Sequence, residues 1–493
     1  MCKLCENEHY GMARRDFIKT GGISVAGISV AGTSLAAGVK MGTDGISNSA
    51  AVDKKIPVIR GAFLYPPSGT LEKEGYFSWP GSSFDAEGRQ KQYMSRIKEI
   101  ESKLNIRIEM DQEPLNMASD VDKFLGGLKT TNPDGLLLIP FKKSHWTHVV
   151  RIVDEAKIPS IVMATIGVLL IELIWQLRDR AGVYMISSLD DLDAVESGLK
   201  MVQTSCWMRD AMIVSIDGSK VVDSTVPVIG TKVRNIPHQR FYDHFANQQA
   251  DSKVQTLAKQ YMKNAVKIVQ PTKEDITESA KTYFIYKKIL AEENADALMM
   301  NCLSGLRKPH KHVPPCMGHL SLRDEGVAVG CEADLDATLT QMLLLKLFDK
   351  PGFIQDPAYD TEKDLFFGAH CTSASKMNGI DKPSEPYELM SHCESGWGVS
   401  PRVLFKKDQE VTIAKYVSDE KKPQMLIYSG KIVDCPAIPP TGGCRTNVVT
   451  TINEVHSASD LKVVPLMHAV MIYGDHVKQL KQFCQLYNIE VIV

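Results

Sequence analysis

The chain has 493 residues, a formal net charge of −2 and a hydrophobic content of 44%. This is the composition of an ordinary globular protein, and it excludes a disordered tail, a coiled coil and a collagen-like rod. The near-zero charge argues against a protein that binds nucleic acid through a basic face. The 11 cysteines are too widely spread for a small disulfide scaffold, so we expect most of them to be buried thiols.

The amino terminus has the features of an export signal. Arg14 and Arg15 precede Phe17 and Lys19, and an uncharged, glycine-containing apolar run follows at residues 21–39. This order is typical of a twin-arginine signal, and the glycines make the run a poor permanent membrane anchor. We expect residues 1–54 to be signal and linker, and the mature protein to be periplasmic or otherwise extracytoplasmic, without stable membrane insertion. The alternative is a charged amino terminus that carries the arginine pair by chance.

The chain then alternates between the periods of strands and helices. Strands are predicted at residues 56–64, 106–110, 135–140 and 158–164, and helices at residues 85–104, 119–129 and 145–156. This alternation predicts a doubly wound parallel sheet, and the continuous apolar run at 135–140 is typical of a strand covered on both faces. We assign residues 55–181 to an amino-terminal α/β domain.

A second doubly wound α/β domain is predicted at residues 182–348. Its strands are expected at 183–187, 211–216, 297–302 and 326–331, and its helices at 189–201, 253–263 and 274–292. The carboxyl-terminal part differs, because it has short β-like pieces at 426–429, 446–452 and 461–464, then a helix at 476–487 and a strand at 489–493. We therefore expect residues 349–493 to form a small, barrel-like α+β domain.

Two carboxylates stand at the ends of consecutive predicted strands. Glu332 follows a buried strand, a helix comes next at residues 333–347, and Asp356 ends a second short strand. A strand–helix–strand unit would place both carboxylates at one edge of a sheet, where ligands bind. There they repel each other unless a cation or a proton lies between them, which favours a divalent ion. The alternative is that Glu332 and Asp334 cap the helix and Asp356 opens a turn.

His468 adds a nitrogen to this pair. It precedes an apolar strand at residues 469–473. A nitrogen ligand beside two carboxylates favours manganese or a similar transition ion over calcium. A histidine beside a core strand is also commonly a core residue with satisfied hydrogen bonds, and that alternative stays open.

Two stretches resemble the L-fucose isomerase-like family, in the L-fucose/L-arabinose isomerase superfamily. The first is C-E-A-D-L-D-A-T-L-T-Q-M-L-L-L-K-L-F-D-K-P-G-F-I-Q-D at residues 331–356, and the second is H-A-V-M-I-Y-G-D-H at 468–476. They resemble the family's metal-binding stretch and its histidine-bearing strand, while residues 55–320 share only its architecture. The resemblance implies that Glu332, Asp356 and His468 hold Mn²⁺, and that Glu332 and Asp356 are the catalytic base and acid.

That resemblance implies an aldose–ketose isomerase, an intramolecular oxidoreductase that moves a proton through an enediol beside a divalent ion. A homo-oligomer, trimer or hexamer, and a small sugar substrate are expected with it. Cytoplasmic sugar isomerases do not usually carry an export signal, so an epimerase or lyase acting on a sugar on the same scaffold stays open. An exported sugar-binding protein without catalysis, which needs no metal, is the alternative from another class, and an inactive structural subunit is a third.

Three further residues are candidates for substrate binding. They are His370 in G-A-H-C, Glu325 in R-D-E-G, and Arg445 in the glycine-rich turn at residues 439–446. For Glu325 the alternative is a turn carboxylate, and for the glycine-rich turn it is a structural role. Cys435 and Cys444 bracket that turn and could pair in an oxidising compartment.

Overall fold

The chain is α/β, with two largely parallel sheets followed by a closed antiparallel barrel. The structure is a computed structural model that describes residues 55–73, 81, 83–165, 167–189, 191–437, 443–461 and 467–492. The predicted export signal, nearly all of the strand expected at 461–464 and half of the turn at 439–446 lie outside these ranges. Within them, no helix is long and apolar enough to cross a membrane.

The first sheet has five parallel strands in the order β2-β1-β3-β4-β5. The strands are β1 Val58–Leu64, β2 Arg107–Met110, β3 Gly135–Pro140, β4 Ser160–Ala164 and β5 Val183–Ser187. The helices that accompany them are α1 Ser68–Lys73, α2 Ala86–Leu104, α3 Ala118–Thr131, α4 Trp146–Ala156 and α5 Ile171–Arg178. One face packs on α2 and the other on α3 and α4, so β3 at the centre is buried throughout, as its apolar run predicts.

β5 belongs to this first sheet, although the predicted boundary at residue 182 placed it in the next domain. It pairs in parallel with β4 from Ser160↔Val183 to Ala164↔Ser187. In a continuous βα alternation, the last strand of one sheet and the first strand of the next have the same hydrophobic pattern. The pattern therefore locates the strand without identifying its partner.

The second sheet has the order β11-β10-β6-β8-β7, parallel apart from the β7–β8 pair. Its strands are β6 Met212–Ile216, β7 Val222–Thr225, β8 Lys232–Ile236, β10 Ala297–Met300 and β11 Ala328–Cys331; β9 Lys267–Ile268 joins a separate small sheet. The helices of this part are α6 Asp193–Asp210, α7 His238–Asn247, α8 Ser252–Asn264, α9 Lys273–Glu293, α10 Cys316–Asp324 and α11 Leu335–Phe348. The parallel strands bring the carboxyl ends of β10 and β11 to one edge.

The carboxyl-terminal part forms the predicted barrel. Its six strands are β12 Phe353–Asp360, β13 Leu365–His370, β16 Glu410–Val417, β17 Gln424–Asp434, β18 Thr446–Thr450 and β19 Ala469–Tyr473. They close antiparallel in the order β16-β19-β12-β13-β18-β17, with β17 returning to β16. β14 Tyr387–Met390 pairs with β9 on one side and with β15 Ser400–Val403 on the other. After a terminal helix Val477–Leu486, the strand β20 Glu490–Ile492 lies parallel to β17.

The strand–helix–strand unit expected around Glu332 and Asp356 does not form. β11 pairs with β10 in the second sheet, whereas β12 pairs antiparallel with β13 and β19 in the barrel. The prediction that the two carboxylates end neighbouring strands of one sheet is therefore wrong. α11 carries the chain from one sheet to the other, and it is buried nearly all round because it packs against both.

Candidate metal centre

Glu332 projects from a strained turn at the end of β11. Glu332 and Ala333 both adopt the left-handed conformation, with φ of 54° and 56°. Each such residue costs about 1–2 kcal/mol, so two in succession require support. Hydrogen bonds from the Ala333 amide to the Met300 carbonyl and from the Asp334 amide to the Cys331 carbonyl, both 3.0 Å long, supply it. Strain of this kind is concentrated at functional sites.

Asp334 fixes the orientation of His468. The Nδ1 atom of His468 lies 2.9 Å from Oδ2 of Asp334, and Nζ of Lys415 lies 3.0 Å from both carboxylate oxygens. Burial acts to raise the pKa of Asp334, but the hydrogen bond from His468 and the charge of Lys415 outweigh it and lower the pKa to about 2. The ionised carboxylate therefore holds a proton on Nδ1, so Nε2 of His468 is the ring nitrogen that would lose its proton and bind an ion.

Two carboxylates face that nitrogen. Nε2 of His468 lies 3.4 Å from Oδ1 of Asp356 and 3.8 Å from Oε2 of Glu332. Partial burial raises the pKa of both carboxyl groups, and the charge of Asp356 raises that of Glu332 further, against the opposing effect of His468. Oδ1 of Asp356 is buried and has no hydrogen-bond partner among the described residues. Burial lowers the pKa of His468, but the hydrogen bond to Asp334 and the charges of Asp356 and Glu332 outweigh it and raise the pKa, so His468 is the positive charge that faces these two acids when no ion is bound.

His370, at the end of β13, completes the cluster. It is only 2% exposed, and its Nε2 atom lies 3.8 Å from Oε1 of Glu332. Neither ring nitrogen has a hydrogen-bond partner within the part of the chain that the structure describes. Burial, together with the positive charges of His468 and Arg323, lowers its pKa well below the ordinary value. The ring is therefore neutral, and a buried neutral imidazole with two unsatisfied nitrogens is costly unless something binds it.

Glu332, His370 and His468 together could hold a metal ion. One ligand atom from each lies within 4.8 Å of the others. Asp356 adjoins the group through its contact with His468. Two imidazoles with carboxylates form a donor set that suits Mn²⁺, Fe²⁺ or Zn²⁺ better than Ca²⁺. The structure thus brings together the three residues expected as ligands and adds His370, which the sequence suggested only for substrate binding.

The other two candidates for substrate binding lie in different surroundings. Glu325 caps the end of α10 and accepts hydrogen bonds from Tyr283, at 2.5 Å, and Lys287, at 3.1 Å, both on α9. No contact joins it to the described residues of the cluster. Arg445 donates through Nε to the Ser391 carbonyl at 2.7 Å, which places it beside the segment that follows β14.

Glu394, in that segment, and Lys415 were missed by the sequence analysis. The charge of Glu394 contributes to raising the pKa of Glu332, so the segment after β14 lies near the cluster. Lys415 is 4% exposed and lies between the buried Ala414 and Tyr416 in β16. A lysine at a core-facing strand position was the available signal, since a buried lysine almost always has an acidic partner.

Comparisons with known proteins give this chain no family. No protein-family profile and no curated protein sequence matches it. Among solved structures, one match is the solute-binding protein of a 5-methylthioribose transporter from Thermotoga lettingae, in complex with 5-methylthioribose. The two are 9% identical, the match covers 55% of this chain and 79% of that one, and the TM-score is 0.16. A likeness at that score carries no information about the fold or the function of this chain.

Proposed function

We propose that this protein is a metal-dependent enzyme that interconverts an aldose and a ketose at a site for Mn²⁺ or a similar divalent transition ion. The observation that carries the proposal is the buried, unpartnered imidazole of His370 beside Glu332 and His468. Buried side chains that only pack the core are usually hydrogen-bonded, whereas this cluster leaves two ring nitrogens and a carboxylate oxygen without hydrogen bonds. The resemblance of residues 331–356 and 468–476 to the sugar isomerases supports the same activity.

Four side chains have separate roles in this proposal. Glu332, His370 and His468 would hold the ion, with Asp334 keeping His468 in the required tautomer. The bound ion would polarise the carbonyl of the sugar and orient its neighbouring oxygen. The side chain of Glu332 is 34% exposed, which leaves an approach from solvent.

Asp356 is the better placed of the two predicted proton-transfer groups. A carboxylate that binds a divalent ion is a weaker base, and Asp356 lies outside the close group of three ligand atoms. Its raised pKa brings it nearer to neutrality, where a general base is most effective. In this proposal Asp356 takes the proton from one of two adjacent carbons and returns it to the other. The oxygen of Glu332 that does not bind the ion would accept the proton of the neighbouring hydroxyl and pass it to the carbonyl oxygen.

The setting of the enzyme follows from the sequence features. We propose that the protein is exported by the twin-arginine route, because of the arginine pair and the apolar run that follows it. The substrate is a small sugar or sugar derivative. By resemblance to the isomerases, the protein works as a trimer or hexamer.

An activity screen with matched variants tests the proposal. The purified protein would be supplied with Mn²⁺ and a panel of aldoses in deuterated water, with ketose formation and deuterium uptake followed by NMR. We expect deuterium at the carbon next to the carbonyl, about one divalent ion per chain, and at least a 100-fold loss of turnover in Glu332→Gln. Glu325→Gln is the matched control, and it should retain both the metal and the activity.

The outcomes separate the alternatives. Deuterium uptake with inversion at one carbon and no ketose would identify an epimerase, and loss of water from the sugar would identify a lyase. Sugar binding without turnover, in a protein that holds no divalent ion and is unaffected by chelation, would replace the enzyme with a sugar-binding protein.

A further inference from the structure

Two cysteines meet at the rim of the barrel beside the candidate centre. The Sγ atoms of Cys371 and Cys444 are 3.5 Å apart. Cys371 directly follows His370 and is 8% exposed, whereas Cys444 is only half-buried and directly precedes Arg445. All the described cysteines are free thiols. This pair therefore combines close contact between two sulfurs with access from solvent to one of them.

The backbone already holds the two thiols in position. β13 and β18 pair antiparallel, and their register ends with His370 opposite Thr446. Cys371 and Cys444 lie just beyond this last residue pair of the two strands. A disulfide requires a sulfur–sulfur distance of about 2.0 Å, so the two sulfur atoms, 3.5 Å apart, must approach by about 1.5 Å.

We propose that Cys371 and Cys444 are a redox-active pair that forms a disulfide by exchange with a low-molecular-weight disulfide such as oxidised glutathione. The more exposed sulfur of Cys444 attacks one sulfur of oxidised glutathione and releases the first glutathione. The sulfur of Cys371 then attacks Cys444 in this mixed disulfide and releases the second. The protein loses two protons and two electrons, and one oxidised glutathione becomes two reduced molecules.

Other uses of the pair fit the surroundings less well. Among the described residues, the group that could hold a metal ion consists of Glu332, His370 and His468. Cys371 and Cys444 do not belong to that group. The pairing of Cys444 with Cys435 that the sequence left open is not favoured, because the thiol of Cys435 lies instead 3.7 Å from the Phe405 carbonyl. The bond would fasten residues 443–445 to the end of β13, next to His370.

Peptide mapping of the full chain tests the proposal without metal or sugar, so its result is independent of the proposed function. The protein would be reduced, freed of reductant, incubated with oxidised glutathione, alkylated and digested without reduction. We expect mass spectrometry to find a linked peptide pair containing Cys371 and Cys444 that dithiothreitol separates. The oxidised protein should melt about 3 °C or more above the reduced protein, because the bond closes a long loop.

Two serine variants complete the test. Cys435→Ser should keep both the linked peptide and the increase in melting temperature, and Cys444→Ser should lose both. Full alkylation of Cys371 and Cys444 after oxidation, a link from Cys444 to Cys435, or a stable glutathione adduct on Cys444 without a link to Cys371 would each overturn the proposal. Mapping of the unaltered chain gives the answer even if a variant does not fold.

Discussion

Asp334 has three partners that belong to different elements. Its side chain accepts from the Ala337 amide at 2.7 Å, which caps α11, and it also binds Lys415 of β16 and Nδ1 of His468. A carboxylate behind a histidine ligand fixes the ring and increases its basicity. Asp334 is thus a positioning residue that acts on the candidate centre through His468.

Replacing Asp334 with asparagine should weaken metal binding. Asparagine keeps the shape but removes the charge that holds the proton on Nδ1 of His468, so we expect the affinity for Mn²⁺ to fall about 10- to 100-fold. The folded protein should also lose stability, because Lys415 is 4% exposed and would face a neutral partner. Isothermal titration with Mn²⁺ at a temperature where the variant is folded measures the first effect.

Asp336→Asn is the matched control for that variant. Asp336 lies in the first turn of α11 and accepts hydrogen bonds from Ser418, at 2.6 Å from its hydroxyl. This change should affect stability and leave the affinity for Mn²⁺ within about twofold of the original. Equal losses of affinity in the two variants would remove the positioning role of Asp334.

At the scale of elements, closure of the barrel depends on a close approach at β17. A side-chain Cβ at Gly430 would lie 1.8 Å from the carbonyl oxygen of Thr451, a backbone atom that cannot rotate away. We therefore expect Gly430→Ala to lower the free energy of unfolding by about 1–3 kcal/mol or more.

Gly126→Ala is the control, since nothing lies within 4 Å of its Cβ position in α3. That change should stabilise the protein by about 0.5–1 kcal/mol, and urea unfolding measures both.

His312 should make stability depend on pH. It is 1% exposed, packs edge-on against Phe241 at 5.1 Å, and burial lowers its pKa to about 4. The unfolded chain, with a pKa near 6.5, binds this proton more readily, so stability is full above pH 6.5 and falls as the pH drops to about 4. This difference in pKa corresponds to a loss of about 3 kcal/mol in the free energy of unfolding between pH 6.5 and pH 4.

The test is urea unfolding of His312→Phe at pH 7 and at pH 4.5. The variant cannot take up this proton, so its free energy of unfolding should fall less between the two values than that of the original protein. The other buried histidines remain in both proteins, and their contribution cancels in the comparison. Identical pH dependence in the two proteins would contradict the assignment of the effect to His312.

The sequence located elements better than it located their partners. The strands predicted at residues 135–140 and 469–473 have those bounds in the structure, because a fully apolar run with turn residues on both sides is unambiguous. β5 and β12 were also found, but each of them joins a different sheet from the one predicted. The spacing of hydrophobic residues along a strand shows which of its faces are buried. It does not show which other strand pairs with it.

The same limit applies to the candidate site. Glu332 and His468 could be chosen from short motifs, but Glu332 and Asp356 were predicted to meet at the edge of a sheet that does not form. What brings them together is the packing of the second sheet against the barrel. The free nitrogens of His370 and the left-handed conformations of Glu332 and His468 are tertiary properties, and no local sequence signal carries them.

At the scale of the whole molecule, the candidate centre lies where two sheets meet. Glu332 follows β11 of the second sheet, whereas Asp356, His370 and His468 come from the barrel, in β12, at the end of β13 and before β19. α11 connects the two and packs on both. An ion held by Glu332 and the two histidines would therefore link the second sheet to the barrel. Its removal should lower the stability of the contact between them.

Divalent ions should consequently raise the melting temperature of the protein. A ligand that binds only the folded state at 100 times its dissociation constant stabilises that state by about 2.7 kcal/mol. We expect Mn²⁺ to raise the midpoint measured by differential scanning fluorimetry, a chelator to reverse the rise, and Ca²⁺ to have a smaller effect because two of the ligands are imidazoles. Glu332→Gln should abolish the response to Mn²⁺, while Glu325→Gln, whose carboxylate binds Tyr283 and Lys287, should keep it. An equal rise with Ca²⁺, or a rise that persists in Glu332→Gln, would place the ion elsewhere on the molecule.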